Sequence, residues 1–146
     1  MTVATTALPP AIGCAAPLHL PTGLIADLLA RAAQAAPLEC CGLLLGHGWQ
    51  VAQAVPAANV AADPARHFEI DPQALIDAHR RARAGGPQVL GHYHSHPTGI
   101  ARPSATDRAQ AAGDGAIWAI VGGNAVTFWR DDGAGFTPLP IAPGGG

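Results

Sequence analysis

The tract His94-Ser95-His96-Pro97-Thr98-Gly99-Ile100-Ala101-Arg102-Pro103-Ser104-Ala105-Thr106-Asp107 restricts local structure more than any other stretch of the chain. Side chains alternate along a strand, so His94 and His96 project from one face about two residue rises apart. Pro97 cannot donate to a ladder and ends that strand. Gly99 lets the chain turn back, and Ser104 three residues before Asp107 is the signature of a capped helix start. A strand, a loop and a helix are thereby ordered within fourteen residues that hold two imidazoles, a hydroxyl and a carboxylate. The chain has only two serines, Ser95 and Ser104, and both lie here.

Around this tract the periodicity switches repeatedly between strand and helix. Residues 18–20 read as a short strand. Thr22 offers an N-cap for a helix with Leu24, Ile25, Leu28, Leu29 and Ala32 at three-to-four spacing, ended by Pro37. The apolar run 40–45 has strand length and reads as buried on both faces. Gly46-His47-Gly48 reads as a tight turn into a strand over 49–55. Residues 68–70 are expected as a short strand. Asp71-Pro72 starts a helix with Leu75, Ile76 and His79 on one side, stopping at Gly85-Gly86. Residues 88–96 form the next strand and 104–112 a short helix, with closing strands over 116–121, 125–130 and 136–141. Strands mixed with helices, hairpins included, argue for an α/β (α+β) sheet with helices against it. The expected organisation is a flexible lead-in over 1–16, one domain over 17–141 and a Gly-rich tail over 142–146.

Bulk properties exclude several classes. At 146 residues with 49% apolar and 12% charged content, the chain suits one globular domain rather than a disordered one. It has no lysine and eight arginines, and a net charge of −2 leaves no basic footprint for nucleic acid. No apolar run approaches the roughly 18 residues that a membrane span needs. Cys14, Cys40 and Cys41 have no C-x-x-C spacing, and adjacent Cys40 and Cys41 point to opposite faces of a strand. Reduced thiols in a cytoplasmic protein are the expectation. Ala11-Ile12-Gly13-Cys14 is faintly like a lipoprotein processing site, but no basic residue precedes it and Pro9-Pro10 interrupts the apolar stretch.

On one strand face, His94 and His96 bring two nitrogens within reach of a single tetrahedral ion, and Asp107 in the first turn of the next helix supplies an oxygen. Two histidines, a carboxylate and an open position describe a catalytic zinc site. The same donors suit non-haem iron, with zinc preferred. The plainer alternative makes Ser104 and Asp107 a capping box and nothing more; the conjunction of both elements favours the metal. His92 shares the face, but three such histidines crowd one ion, so its expected place is behind the ligands or on the surface. His19, His47, His67 and His79 are scattered, with ordinary roles as the default. Proton transfer needs a further group. Glu39, which with Glu69 makes up the chain's glutamates, stands at the mouth of the run 40–45, where burial would raise its pKa toward a working range. The alternative is a strand-edge carboxylate in water.

Glu39 followed by Cys40-Cys41-Gly42-Leu43-Leu44-Leu45-Gly46, then Gly91-His92-Tyr93-His94-Ser95-His96-Pro97, then Pro103-Ser104-Ala105-Thr106-Asp107, together resemble the JAMM (MPN-plus) metalloproteases, the bacterial single-domain members most closely. The likeness covers about residues 18–140, and its specific part is confined to those three tracts. The family's distant Glu plus H-x-H-P-x6-S-x-x-D is matched at every position. The resemblance implies zinc (Zn2+) held by His94, His96 and Asp107, with Glu39 as general base and then acid. It also implies Ser104 hydrogen-bonding the tetrahedral oxyanion. The implied fold is a curved mixed sheet flanked by helices, similar to cytidine deaminases. Deaminase chemistry itself is disfavoured because the H-x-E and P-C-x-x-C ligand sets are absent.

The implied reaction is hydrolysis of the peptide or isopeptide bond after the Gly-Gly tail of a ubiquitin-like protein, in bacteria one of sulfur-carrier type. Such a tail is thin enough to reach a recessed ion and can pair as an added strand. The chain's own Gly144-Gly145-Gly146 echoes it but reads as a flexible end. Two rival readings remain. A RadC-like protein of DNA repair shares the H-x-H-P and S-x-x-D arrangement, but the acidic pI and the Glu-Cys-Cys-Gly tract argue against it. A catalytically silent MPN scaffold has no need of intact ligands. The substrate's identity, the leaving group and homodimer formation stay open at this level.

Overall fold

The computed structural model describes residues 17–143. The expectations for residues 1–16, for Cys14 and for Gly144-Gly145-Gly146 lie outside the described residues. The elements in chain order are α1 (Leu24–Ala35), β1 (Cys41–His47), β2 (Gln50–Ala57), α2 (Pro72–Arg83), β3 (Gln88–His96), α3 (Ala105–Gln110), β4 (Ile117–Gly122), β5 (Ala125–Asp131) and β6 (Phe136–Pro138). The strands make one six-stranded sheet in the order β2-β1-β3-β4-β5-β6. Neighbours are antiparallel except for β3 and β4. A parallel pair cannot be closed by a hairpin and needs a crossover. Here the crossover carries α3, which returns Asp107 to the end of β3 that bears the histidines.

β1 is apolar and buried up to Gly46 because both its faces are covered there. Leu44 packs with Leu24 and Leu28 of α1 and with Leu90 and Tyr93. Cys41, Leu43 and Leu45 face the other way, into a cluster with Phe68, Ile70, Ala78, Val89 and Trp118. Cys40 and Cys41 are free thiols divided between those two sides, as alternation requires. Burial pushes the Cys41 thiol up to about 12, which leaves it an inert core group.

β3 does not alternate evenly. Leu44 pairs with Gly91 and Leu45 with Val89, so Leu90 is an extra residue on β3. This bulge resets the alternation. Leu90 and Tyr93 face α1, whereas His92 and His94 face Phe68 and Trp118. An unbroken alternation would have put both histidines on the side of Leu90, under α1. β4 passes so near the bulge that a Cβ on Gly91 would lie 1.9 Å from the Ile117 carbonyl oxygen, so only glycine fits there.

Several local expectations shift. α1 is capped by Gly23 at φ 88° rather than by Thr22, and no side chain caps it. Gly46 and His47 stay in β1, and the turn falls at Gly48-Trp49. Asp71 caps α2 as expected, accepting from the Gln73 N–H at 3.1 Å. The buried stripe of α2 is Ala74, Leu75 and Ala78, and Ile76 is 48% exposed, because the helix lies on the sheet one position round from the Leu75-Ile76-His79 face. Residues 68–70 contribute one bridge, Ile70 to Asn59, though Phe68 and Ile70 are buried. β6 is only three residues long, and Ile141 bridges to Leu18 instead.

Candidate active site

Three donor groups converge at the C-terminal end of β3. His94 Nε2 and His96 Nε2 are 2.9 Å apart. Asp107 Oδ1 lies 3.1 Å from His94 Nε2, and Oδ2 lies 3.1 Å from His96 Nε2. His96 Nδ1 is 2.8 Å from the Ile100 carbonyl oxygen. A carbonyl only accepts, so Nδ1 carries a proton; Nε2 carries one when it donates to Asp107 and would present a lone pair when a metal takes that proton's place. The His94 ring is oriented differently. It stacks on Phe68 with centroids 4.2 Å apart and planes at 16°, and its buried Nδ1 has no hydrogen-bond partner among the described residues.

Two imidazole nitrogens at that separation, both against one carboxylate, need a proton or a cation between them. Donors around 2.0–2.2 Å from a tetrahedral ion stand about 3.3 Å from one another, close to the spacing found. His94, His96 and Asp107 therefore fit a single metal ion. Burial pushes the Asp107 carboxyl up, but hydrogen bonds from His94 and His96 outweigh it and hold the group well below the usual range. Burial likewise lowers His94 against the pull of Asp107. For His96 burial also lowers, yet the Asp107 hydrogen bond and charge prevail and the net shift is upward.

His92 lies outside the His94-His96-Asp107 group. Its ring meets Trp118 edge-on at 4.4 Å, and burial together with neighbouring His94 pushes it down to about 3, so it is neutral. Ser104 and Asp107 form both halves of the capping box. The Asp107 N–H donates to Ser104 Oγ at 3.0 Å, and the Ser104 N–H donates to Asp107 Oδ2 at 2.9 Å. The structural and the chemical uses thus coincide: the cap fixes the carboxylate that faces the histidines. The Ser104 hydroxyl keeps its own proton for donation.

Glu39 arrives by register. Cys41 stands opposite His94 in the antiparallel pair, so residue 39 emerges where His96 leaves β3. Glu39, His96 and Ser104 line one cleft of about 380 Å³, with Arg66 and Arg102 at its sides. Glu39 is buried, and burial pushes its carboxyl up to about 7, with His96 lowering it and Asp107 adding to the rise. The strand-edge alternative for Glu39 does not hold. Phe68 and Asn59 were not singled out from the sequence. Phe68 read only as strand, and Asn59 acts on backbone atoms that carry no residue signature.

Comparison with known proteins adds the family. Residues 21–132 match the prokaryotic homologs of the JAB domain, a span that contains Glu39, His94, His96, Ser104 and Asp107. This chain belongs to that family. The JAB assignment agrees with the resemblance carried by the three tracts. Among JAB relatives, the desampylase of Haloferax volcanii is 38% identical over 86 residues, 58% of this chain and 62% of that protein. A probable TtuB-protein conjugate cleaving protease of Thermus thermophilus is 36% identical over 94 residues, 64% of this chain and 63% of that one. The chain thus spans under two thirds of the length of either relative. A Desulfitobacterium hafniense protein of known solution structure is similar at TM-score 0.74 and 30% identity, covering 84% of this chain and 90% of that one. Among the described residues of this JAB-family chain, no helix is long and apolar enough to cross a membrane.

Proposed function

We propose that this JAB-family protein is a zinc-dependent metallopeptidase that hydrolyses the peptide or isopeptide bond after the C-terminal Gly-Gly of a ubiquitin-like protein of sulfur-carrier type. The observation that carries this reading is the meeting of Glu39, His96 and Ser104 on one cleft, with His94 and Asp107 completing the donor set beside it. Zinc on His94, His96 and Asp107 would supply a Lewis acid that polarises the scissile carbonyl and acidifies water. The Glu39 carboxylate would accept a proton from the attacking water and, once protonated, deliver it to the leaving nitrogen. A carboxyl raised to about 7 is matched to both tasks near neutrality. The Ser104 hydroxyl donates to the oxygen that gains negative charge. The Ile100 carbonyl and the Ser104 N–H hold His96 and Asp107 in the orientations needed to bind the metal.

The names of two relatives, a desampylase and a conjugate cleaving protease, support the substrate class. The domain that does this work is residues 17–141, acting in the cytoplasm, where Cys40 and Cys41 stay reduced. The test uses purified protein with one equivalent of zinc and a ubiquitin-like protein extended beyond Gly-Gly by a peptide or through a lysine. Mass spectrometry is expected to find a product ending at Gly-Gly, lost on chelation and regained with zinc. Zinc-loaded protein that leaves every such substrate intact supports the silent scaffold instead. Appreciable retention of duplex DNA at low salt would revive the RadC-like reading.

A further inference from the structure

We infer that Ser95 and Asn59 are positioning residues that set Glu39 against the metal ligands, an inference that rests on the peptidase reading. Ser95 stands between the two histidine ligands but projects to the opposite side of β3 and is buried. Its Oγ accepts the Cys40 N–H at 2.8 Å, and its own N–H donates to the Cys40 carbonyl at 3.0 Å. Asn59 Nδ2 donates to the Glu39 carbonyl at 2.9 Å. The Glu39 C=O and the Cys40 N–H belong to one peptide group. That group is therefore gripped at both ends by side chains, one from the strand that holds the metal and one from the segment after β2.

The remaining groups tighten the arrangement. The Glu39 N–H donates to the Pro64 carbonyl at 2.8 Å. Asn59 also donates to the His67 carbonyl at 3.0 Å, and its Oδ1 accepts the Ala61 and Glu69 N–H groups at 3.1 and 3.0 Å. Its amide has two protons and two lone pairs, and all are used. β1 begins only at Cys41, so no ladder holds residue 39 itself. The direction of its Cα–Cβ bond is set by these bonds instead. A misplacement of about 1 Å at a reacting group costs on the order of a hundredfold in rate, so the grip bears on turnover more than on binding.

Ser95→Ala removes the acceptor, whereas Ser95→Thr keeps it, and Ser95 borders a groove of about 170 Å³. Asn59→Asp, a second variant, keeps both acceptor contacts and loses both donations. For zinc-loaded parent and variants, kcat and KM are measured on a Gly-Gly-linked substrate, with zinc per chain and amide hydrogen exchange at Cys40. Ser95→Ala is expected to lower kcat on the order of tenfold to a hundredfold and to leave KM within about twofold. Zinc content stays at the parental level, the Cys40 amide exchanges faster, and Ser95→Thr reverses both effects. Asn59→Asp is expected to repeat the kcat loss at unchanged zinc. Parental kcat in Ser95→Ala, unchanged exchange at Cys40, or a kcat loss that merely follows lost zinc overturns the inference. A parent with no turnover overturns the peptidase reading and this inference with it, an outcome distinct from an active parent matched by an active Ser95→Ala.

Discussion

Two carboxylates stand beside the same pair of histidines and are treated in opposite ways. Asp107 accepts hydrogen bonds from both rings and from the Ser104 N–H, and its anion is strongly favoured. Glu39 is buried with no comparable partner for its carboxyl among the described residues, and its anion is disfavoured until about neutral pH. Pushing two acids apart in this way suits them to the two proposed roles, Asp107 as a metal ligand and Glu39 as a base. The routes differ as well. The Asp107 wall is assembled within fourteen residues of chain, while Glu39 comes from far upstream and is held by the backbone around it. Donor chemistry here is local in sequence, and reactivity is a product of tertiary structure.

The comparison breaks most completely if the Asp107 wall is removed. His96→Ala takes away one donor and one of the partners of Asp107 Oδ2, so bound zinc and all measurable turnover should disappear together, as elemental analysis and a cleavage assay would record. A smaller effect is expected at the shared edge. Ser104→Ala deletes the hydroxyl on the cleft and should lower kcat by on the order of a hundredfold to a thousandfold. The lost cap should cost only about 1 kcal/mol in a denaturant melt. A melt that accounts for the whole activity loss would return Ser104 to a purely structural role.

The asymmetry of the two acids also has a pH signature. The folded value for Glu39, about 7, lies above its ordinary 4.5. Its contribution to stability is therefore full below about 4.5 and is lost as pH rises through about 7. The melting temperature of metal-free parent, taken relative to metal-free Glu39→Gln, should fall across that window; a flat difference would mean Glu39 is not buried as described. The smallest effect concerns the two histidines, one fixed by a carbonyl and the other by a ring. Phe68→Leu keeps apolar volume but loses the stack on His94, and zinc affinity should drop by about twofold to tenfold in a competition titration.

The grouping of His94, His96 and Asp107 was legible in the sequence because its residue types prescribe their own local structure: alternating histidines, a terminating proline, a capped helix. The element order was legible for similar reasons. What escaped depends on contacts between distant segments. The bulge at Leu90 belongs to the pairing of β3 with β1, and no pattern within 88–96 announces it. The stripe of α2 turns on how the helix lies on the sheet, which Ile76 could not reveal. Glu39 carried a burial signal from the run 40–45, but only the β1–β3 register brings it to His96. Asn59 bonds to the backbone of four other residues, and backbone atoms look alike in any sequence.

The separation of ligand from base is tested most directly by Glu39→Gln, assayed for bound zinc and for cleavage in the same preparation. The expected result is a parental zinc content with turnover reduced by on the order of a hundredfold to ten-thousandfold. Turnover close to the parent, or zinc lost along with activity, would contradict the division of labour between Glu39 and Asp107.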